Sequence, residues 1–182
     1  MVNKNKKTLV VNLYGGPGTG KSTNAAGLFH RLKTMGIDCE MVREYAKDLV
    51  WEERTVEFGN QISILGKQIK RIESLIGKVD TIITDSPVLL SGYYNNFYNK
   101  DAFDKIMLET QKRYNSLDIF LVRKKKYNPN GRNQTKEQAE EIDGGVRNYL
   151  DKLNIPYEVV DADDKCIDRL VELVKAKQPK LF

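Results

Sequence analysis

The pattern G-x-x-x-x-G-K-[ST] is matched at every position by residues 15–22, which read GGPGTGKS and are called here the phosphate loop. Glycines let backbone N–H groups come close to phosphate oxygens, and a helix starting at the loop adds its positive dipole end. The lysine reaches the β- and γ-phosphates, and the serine hydroxyl is placed to bind Mg²⁺. A glycine-rich turn with a surface lysine is the structural alternative. We expect ATP to be bound by Gly16, Pro17, Gly18, Thr19, Gly20, Lys21, Ser22 and Thr23.

The elements that must position this loop follow from the hydrophobic periodicity. An apolar run precedes the loop, and an apolar repeat at three- and four-residue steps follows it. The same alternation continues along the chain, with predicted strands at 8–14, 39–43, 81–85, 118–122 and 157–160 and predicted helices at 21–35, 44–51, 60–76, 101–114, 135–153 and 165–177. Strands that alternate with helices across short joints are typical of βαβ units, so the sequence predicts an α/β fold with a parallel sheet.

Asp85 ends the third predicted strand, where a parallel sheet would bring it beside the phosphate loop. There it could bind Mg²⁺ through water, together with Ser22, or accept a proton from an attacking hydroxyl. A helix cap or a turn with Ser86 and Pro87 is the alternative. Motor ATPases usually place a water-activating glutamate after this aspartate, and this chain has Ser86. We therefore expect phosphoryl transfer to a bound hydroxyl rather than hydrolysis.

The end of the second strand carries Arg43 and Glu44, at the edge of the sheet where ligands of such folds collect. Glu44 could orient or deprotonate the acceptor of the phosphoryl group, and Arg43 could pair with an acceptor phosphate or sugar. A solvated helix start explains the same two residues. Gln61, Trp51 and the aromatic run 93–98 are further candidate acceptor contacts, although packing explains the aromatics equally well.

A basic segment rich in Pro, Gly and Asn follows the fourth strand and resembles a closing lid at residues 123–135. Lids exclude water and carry arginines that neutralise charge in the transition state. Arg123, Arg132 and Arg147 are the candidates, and Arg132 is the preferred one. The lysines at 124–126 are explained by a solvated face.

Composition sets the remaining limits. The 182 residues, with a net charge of +5, suit one globular domain and an anionic partner, which nucleotide phosphates or nucleic acid would satisfy. No signal peptide or run of 18 apolar residues occurs, so we expect a soluble, cytoplasmic protein. Cys39 and Cys166 lie outside metal-ligand spacing and are expected to be reduced and structural. His30, the single histidine, lies mid-helix and is not expected to be catalytic.

Five features of the sequence belong together: the phosphate loop, Arg43-Glu44-Tyr45, Gln61, Thr84-Asp85-Ser86 and the basic lid. Their combination resembles the P-loop kinase family. This family includes the ribosylnicotinamide kinase domain of the bacterial NAD-biosynthesis regulator and many small bacteriophage proteins. The resemblance implies a three-layer, doubly wound P-loop NTPase fold like that of nucleoside-monophosphate kinases, with strand order 2-3-1-4-5. It also implies ATP and Mg²⁺ as cosubstrates and a nucleoside-like hydroxyl as acceptor.

The chain departs from this family in two respects. We expect no adenylyltransferase domain, and the third strand ends Thr-Asp-Ser rather than in paired acids. The acceptor therefore stays open between a free nucleoside, a nucleotide and a base within DNA. A P-loop ATPase and a nucleotide-binding regulator without chemistry are the other classes. A GTPase is disfavoured because Asn99-Lys100-Asp101 has the wrong spacing for a guanine signal, and a ring-forming ATPase because it would need a longer chain.

Overall fold

A computed structural model describes residues 7–124, 127–128 and 134–182 of the chain. Its five strands are β1 (Leu9–Tyr14), β2 (Cys39–Val42), β3 (Thr81–Thr84), β4 (Asn115–Val122) and β5 (Glu158–Asp161). The helices are α1 (Lys21–Thr34), α2 (Tyr45–Trp51), α3 (Thr55–Phe58), α4 (Gln61–Glu73), α5 (Leu90–Tyr93), α6 (Lys100–Lys112), α7 (Lys136–Lys152) and α8 (Cys166–Lys177), followed by a 3-10 turn at Pro179–Leu181.

The strands form one parallel sheet in the order β2-β3-β1-β4-β5. This confirms the predicted α/β, P-loop NTPase-like fold and its strand order. Because all strands run the same way, the carboxyl ends of β1, β2, β3 and β4 meet at one edge of the sheet. The phosphate loop and Asp85 both follow strands at that edge.

Central strand β1 shows why the sheet lies between two helical layers. All six of its residues are buried, and alternate side chains enter two different apolar clusters. Leu9, Val11 and Leu13 pack into the cluster that includes side chains of α1 and α8. Val10 and Tyr14 pack into the other, which includes side chains of α4, α6 and α7. Each aliphatic side chain buried this way contributes about 1.5–3 kcal/mol to stability.

The boundaries differ from the predicted ones where local hydrogen bonds override periodicity. β4 begins at Asn115 rather than residue 118, because Asn115 already pairs with Leu9 of β1. α4 ends at Glu73 rather than residue 76, and the turns that follow lead to Gly77, whose N–H donates to the Thr8 hydroxyl at 2.8 Å. The short helices α3 and α5 have too few residues for a periodic signal and were not predicted.

The structure describes only part of the predicted lid, and it bears on the expectations about the cysteines and about membrane-spanning helices. Among the residues of the predicted lid, 125–126 and 129–133 lie outside the described residues. The helix after the lid begins with a capping box, in which Thr135 and Gln138 each bond the other's backbone N–H. Both cysteines are buried, and neither forms a disulfide bond. Over the described ranges, no helix is long and apolar enough to cross a membrane.

Candidate functional site

The phosphate loop contains glycines with positive φ angles and leads into a helix whose N-terminal N–H groups have no side-chain cap. Gly15, Gly18 and Gly20 have φ angles of +139°, +75° and +96°, which favour glycine over any residue with a Cβ. Gly20 is also the N-cap of α1, and it supplies no side-chain cap. The first turn of α1 contains no acidic residue. Its N–H groups and its dipole are therefore available to an anion.

The Lys21 ammonium lies folded over this loop. Its Nζ donates to the carbonyl oxygens of Gly15 at 2.7 Å and of Gly16 at 3.0 Å. Burial lowers the pKa of Lys21, and the nearby carboxylates of Glu44 and Asp85 act in the opposite direction. The ammonium thus lies between the loop and the ends of β2 and β3, where a phosphate would gain from its charge.

Asp85 lies beside Lys21 and is only 3% exposed. Its Oδ1 accepts a hydrogen bond from the backbone N–H of Glu44 at 3.0 Å, which joins the end of β3 to the end of β2. The turn after β3 is closed by a different group, because the Ser86 N–H donates to the Thr84 hydroxyl at 3.1 Å. The Asp85 carboxylate therefore faces the neighbouring strand end rather than capping its own turn.

Glu44 is the N-cap residue of α2, and its side chain makes no capping hydrogen bond there. Burial raises the pKa of the Glu44 carboxyl, and Lys21 partly offsets the rise. A carboxylate with a raised pKa is a better proton acceptor than an exposed one. The geometry thus brings together three of the predicted site residues: Lys21, Glu44 and Asp85.

Gln68 was missed by the sequence analysis. Its side chain is buried, donates to the Thr84 hydroxyl at 3.3 Å and accepts from the Tyr45 N–H at 3.3 Å. It therefore ties α4 to both strand ends that carry the acids. The available signal was a polar residue in register with the apolar Leu65 and Ile72. The predicted Gln61 lies two turns earlier, as the first residue of α4.

Arg43 has an exposed side chain at the end of β2. Its carbonyl oxygen accepts a hydrogen bond from Arg71 Nη1 at 3.0 Å, and Arg71 also forms an ion pair with Asp48 at 2.7 Å. The backbone at Arg43 is therefore held in place while the Arg43 guanidinium stays accessible to solvent. That arrangement leaves its predicted role as an acceptor contact untested.

The three candidate arginines differ in their position relative to the phosphate loop. Arg123 lies against the phosphate loop, with Nη2 donating to the Pro17 carbonyl at 2.8 Å. Arg147 lies over the Phe120 ring and donates to the Tyr157 hydroxyl at 3.3 Å, so its guanidinium contacts β4 and the start of β5. Arg132, the preferred candidate, lies outside the described residues. Arg123 is thus the one that the described structure brings to the loop.

Magnesium would need few protein ligands here. No group of three or more His, Cys, Asp or Glu side chains suited to a metal occurs in the parts of the chain that are described. Mg²⁺ beside a triphosphate is commonly held by one or two protein oxygens together with phosphates and water. The Ser22 hydroxyl, exposed in the first turn of α1, and the Asp85 carboxylate fit that smaller requirement.

A set of exposed apolar side chains follows Glu44 along the chain and recurs in the segment before α6. We call it the apolar rim, and it consists of Val50, Trp51, Val56, Ile62 and Phe97. Trp51 is 70% exposed and Phe97 is 84% exposed. Tyr98 joins the two parts of the rim, since its ring contacts Phe97 and its hydroxyl donates to Asn60 at the start of α4 at 3.3 Å. Most of the rim residues belong to the segments that follow Glu44.

Comparisons with known proteins agree with this fold. The family model described as AAA domain matches residues 10–165. A crystal structure of NadR protein in complex with NR has a TM-score of 0.69 and 16% identity, covering 95% of this chain and 52% of that chain. A second NadR structure, in complex with NAD and AMP-PNP, has a TM-score of 0.62 and 16% identity, covering 95% and 50%. This chain therefore spans about half the length of the NadR chains. A search of curated proteins found no match.

Proposed function

Since this chain belongs to the AAA domain family, whose model spans most of its length, we propose that it is an ATP- and Mg²⁺-dependent kinase. It would transfer the γ-phosphoryl group to a hydroxyl of a nucleoside-like acceptor. The observation that carries the proposal is the meeting of two carboxylates, Asp85 and Glu44, with the ammonium of Lys21 at the mouth of the phosphate loop.

The donor nucleotide would be held by the loop. The uncapped N–H groups at the start of α1 would bind the phosphates, and Lys21 would exchange its carbonyl partners for phosphate oxygens. When bound, Mg²⁺ would neutralise charge on the β- and γ-phosphates, with Ser22 and Asp85 as its protein contacts. Arg123 is proposed to face the same phosphates from the end of β4.

The acceptor would enter from the side of α2. Its hydroxyl oxygen would form the new bond to the γ-phosphorus, the bond to the β-γ bridging oxygen would break, and ADP would leave. Glu44 is proposed to take the hydroxyl proton, because burial raises the pKa of its carboxyl. A flat acceptor ring could lie on the apolar rim, where Trp51 and Phe97 offer exposed faces.

The residue that follows Asp85 supports transfer over hydrolysis. Ser86 stands where a water-activating glutamate would be expected in a hydrolysing enzyme, and its N–H is bonded to Thr84. The label from ATP distinguishes the two reactions, because transfer puts it in the acceptor and hydrolysis puts it in free phosphate.

A second candidate shares the reaction and differs in the acceptor. Exposed aromatic faces beside a phosphate site are also how proteins hold single-stranded nucleic acid, by stacking bases on the rings. The exposure of Trp51 and Phe97, together with the net charge of +5, favours this alternative. In it, the acceptor is a nucleotide within DNA.

Both candidates are tested by following the label from [γ-³²P]ATP in the presence of mixed nucleosides, nucleotides or DNA. We expect label in a nucleoside or nucleotide, and none above background with Lys21→Ala, which removes the ammonium from the loop. Label in polynucleotide would select the second candidate. Label found only in free phosphate, with every acceptor class present, would contradict the kinase proposal.

A further inference from the structure

A partly buried ion pair links α7 to the phosphate loop. Asp143, on α7, accepts two hydrogen bonds: Oδ1 from the Gly16 N–H at 2.6 Å, and Oδ2 from Arg123 Nε at 2.9 Å. The side chain of Asp143 is 17% exposed and that of Arg123 is 10% exposed. Both side chains are therefore largely shielded from solvent, which makes charge-assisted hydrogen bonds stronger than in water.

The contact at Gly16 allows no side chain. A Cβ there would lie 2.6 Å from Asp143 Oδ1 and 2.8 Å from the carbonyl oxygen of Ala139, so α7 rests directly on the loop. The carbonyl of Gly16 accepts from Lys21 Nζ and from the Thr19 hydroxyl, each at 3.0 Å. Gly16, whose N–H Asp143 holds, thus also contacts the loop lysine through its carbonyl oxygen.

The same carboxylate fixes the guanidinium of Arg123. Nε is bound by Asp143, and Nη2 donates to the carbonyl oxygens of Pro17 at 2.8 Å and Ala139 at 3.4 Å. Nη1 is buried and has no hydrogen-bond partner among the described residues. It lies only 3.2 Å from where a Cβ of Gly18 would be, directly over the loop.

A buried donor without an acceptor, such as Arg123 Nη1, is energetically unfavourable. Leaving a buried N–H without an acceptor costs about 1–3 kcal/mol, and more for a charged group. The cost is offset if an acceptor arrives with the ligand. A phosphate oxygen is the acceptor that a guanidinium donor above a phosphate loop would meet.

We propose that Asp143 is a positioning residue, which holds Arg123 so that Nη1 faces the phosphates of the bound nucleotide and anchors the loop at Gly16. This inference rests on the proposed function for the presence of that nucleotide. Asp143 itself touches neither nucleotide nor acceptor and acts through Arg123 and Gly16.

A double-mutant cycle tests the proposal, with Asp143→Asn, Arg123→Gln and the two combined. Asparagine can still accept the Gly16 N–H, but it loses the charge that holds the guanidinium. We expect Arg123→Gln to lower kcat about 10²-fold, as loss of one positioned donor does. Asp143→Asn should lower kcat about 10-fold or more through misplacement of Arg123, with KM for ATP within about 3-fold. In the Arg123→Gln background, Asp143→Asn should have little further effect on kcat.

A purely structural role predicts something else. The two effects on kcat would then multiply, or KM and the denaturation midpoint would change while kcat did not. Either result would overturn the inference. Glu140→Gln is the matched control on α7, since Glu140 is exposed and pairs only loosely with Lys136 at 3.7 Å. If Asp143→Asn does not fold, Asp143→Glu replaces it in the same cycle, because the longer side chain displaces Arg123 while keeping the charge.

A binding readout separates this inference from the proposed function. The ratio of Kd for ADP to Kd for ATP reports contacts to the terminal phosphate without any transfer reaction. We expect this ratio to fall in Asp143→Asn and to fall further, to one common value, in Arg123→Gln and in the double variant. A wild-type protein that transfers no phosphoryl group contradicts the proposed function alone. An unchanged ratio in Asp143→Asn contradicts the positioning role alone.

Discussion

The two sides of the candidate site are built differently. On the phosphate side, Gly15, Gly16 and Pro17 each use their carbonyl oxygens to bind Lys21 or Arg123, and Asp143 closes the arrangement from α7. On the acceptor side, beyond Glu44, the apolar rim exposes Trp51 and Phe97 to solvent. The phosphate side is thus held together by hydrogen bonds within the protein, whereas the acceptor side is an exposed surface.

This difference has a physical reason. Phosphate groups are alike in every nucleotide, so fixed donors can be arranged in advance at little entropic cost when the ligand binds. The acceptor side must admit a second substrate after the first and then exclude water, which requires segments that can move. Exposed apolar side chains on such segments gain contacts only when the acceptor is present.

We expect the largest effect from Asp85→Asn, because Asp85 lies where the phosphate side and the acceptor side meet. Asparagine keeps the Oδ1 that accepts the Glu44 N–H, so the link between β2 and β3 should persist. The loss of charge removes the contact proposed for Mg²⁺. We expect kcat for transfer to fall about 10²-fold or more, while Kd for ATP measured without metal changes less than about 3-fold. Steady-state kinetics and calorimetry provide the two measurements.

The control for this variant is Asp101→Asn, which removes an exposed carboxylate from the first turn of α6. It should leave both kcat and ATP affinity near the wild-type values. Near-full activity of Asp85→Asn would mean that this carboxylate has no part in the transfer.

Glu44→Gln should have a smaller effect, one that depends on pH. Burial raises the pKa of the Glu44 carboxyl, so the base form increases as pH rises through that pKa. We expect kcat/KM of the wild type to rise along an acidic limb, and the glutamine variant to lose the limb with about 10²-fold lower activity at its plateau. A pH-rate profile provides the measurement. If the limb persists in Glu44→Gln, another group is the base.

The same shift predicts a change in stability. A carboxyl whose pKa is higher in the folded than in the unfolded state keeps its proton more tightly when folded. Its contribution to stability is therefore lost as pH rises from the unfolded to the folded pKa. Glu44→Gln should flatten that part of the curve of unfolding free energy against pH. Urea unfolding across the acidic range measures it, with Glu140→Gln, an exposed carboxyl, as the comparison.

The phosphate side was also the more predictable one. The loop and the parallel α/β sheet follow from local spacing and from alternation of strand and helix, which neighbouring residues determine. The strand order was implied by the resemblance to the P-loop kinase family. Gly16 and Asp143 are separated by 127 positions, and their contact depends on how α7 packs. Arg123 was one of three candidate arginines, and nothing in its spacing distinguished it. Gln68 was hidden because a buried polar residue looks, in sequence, like a break in an apolar face.

Trp51→Ala tests the open side and should have the smallest effect of the three. The side chain is 70% exposed, so its removal should leave the unfolding free energy within about 0.5 kcal/mol of wild type. If an acceptor ring stacks on it, the lost contact is worth about 1–3 kcal/mol, a rise of about 5- to 150-fold in KM for the acceptor. The kcat and the KM for ATP should stay nearly unchanged, because the phosphate side is assembled without the rim.

Phe182→Ala, an exposed aromatic at the C-terminus, is the control. An equal rise in both KM values would show that the two sides are not independent, and no rise in either would place the acceptor away from the rim.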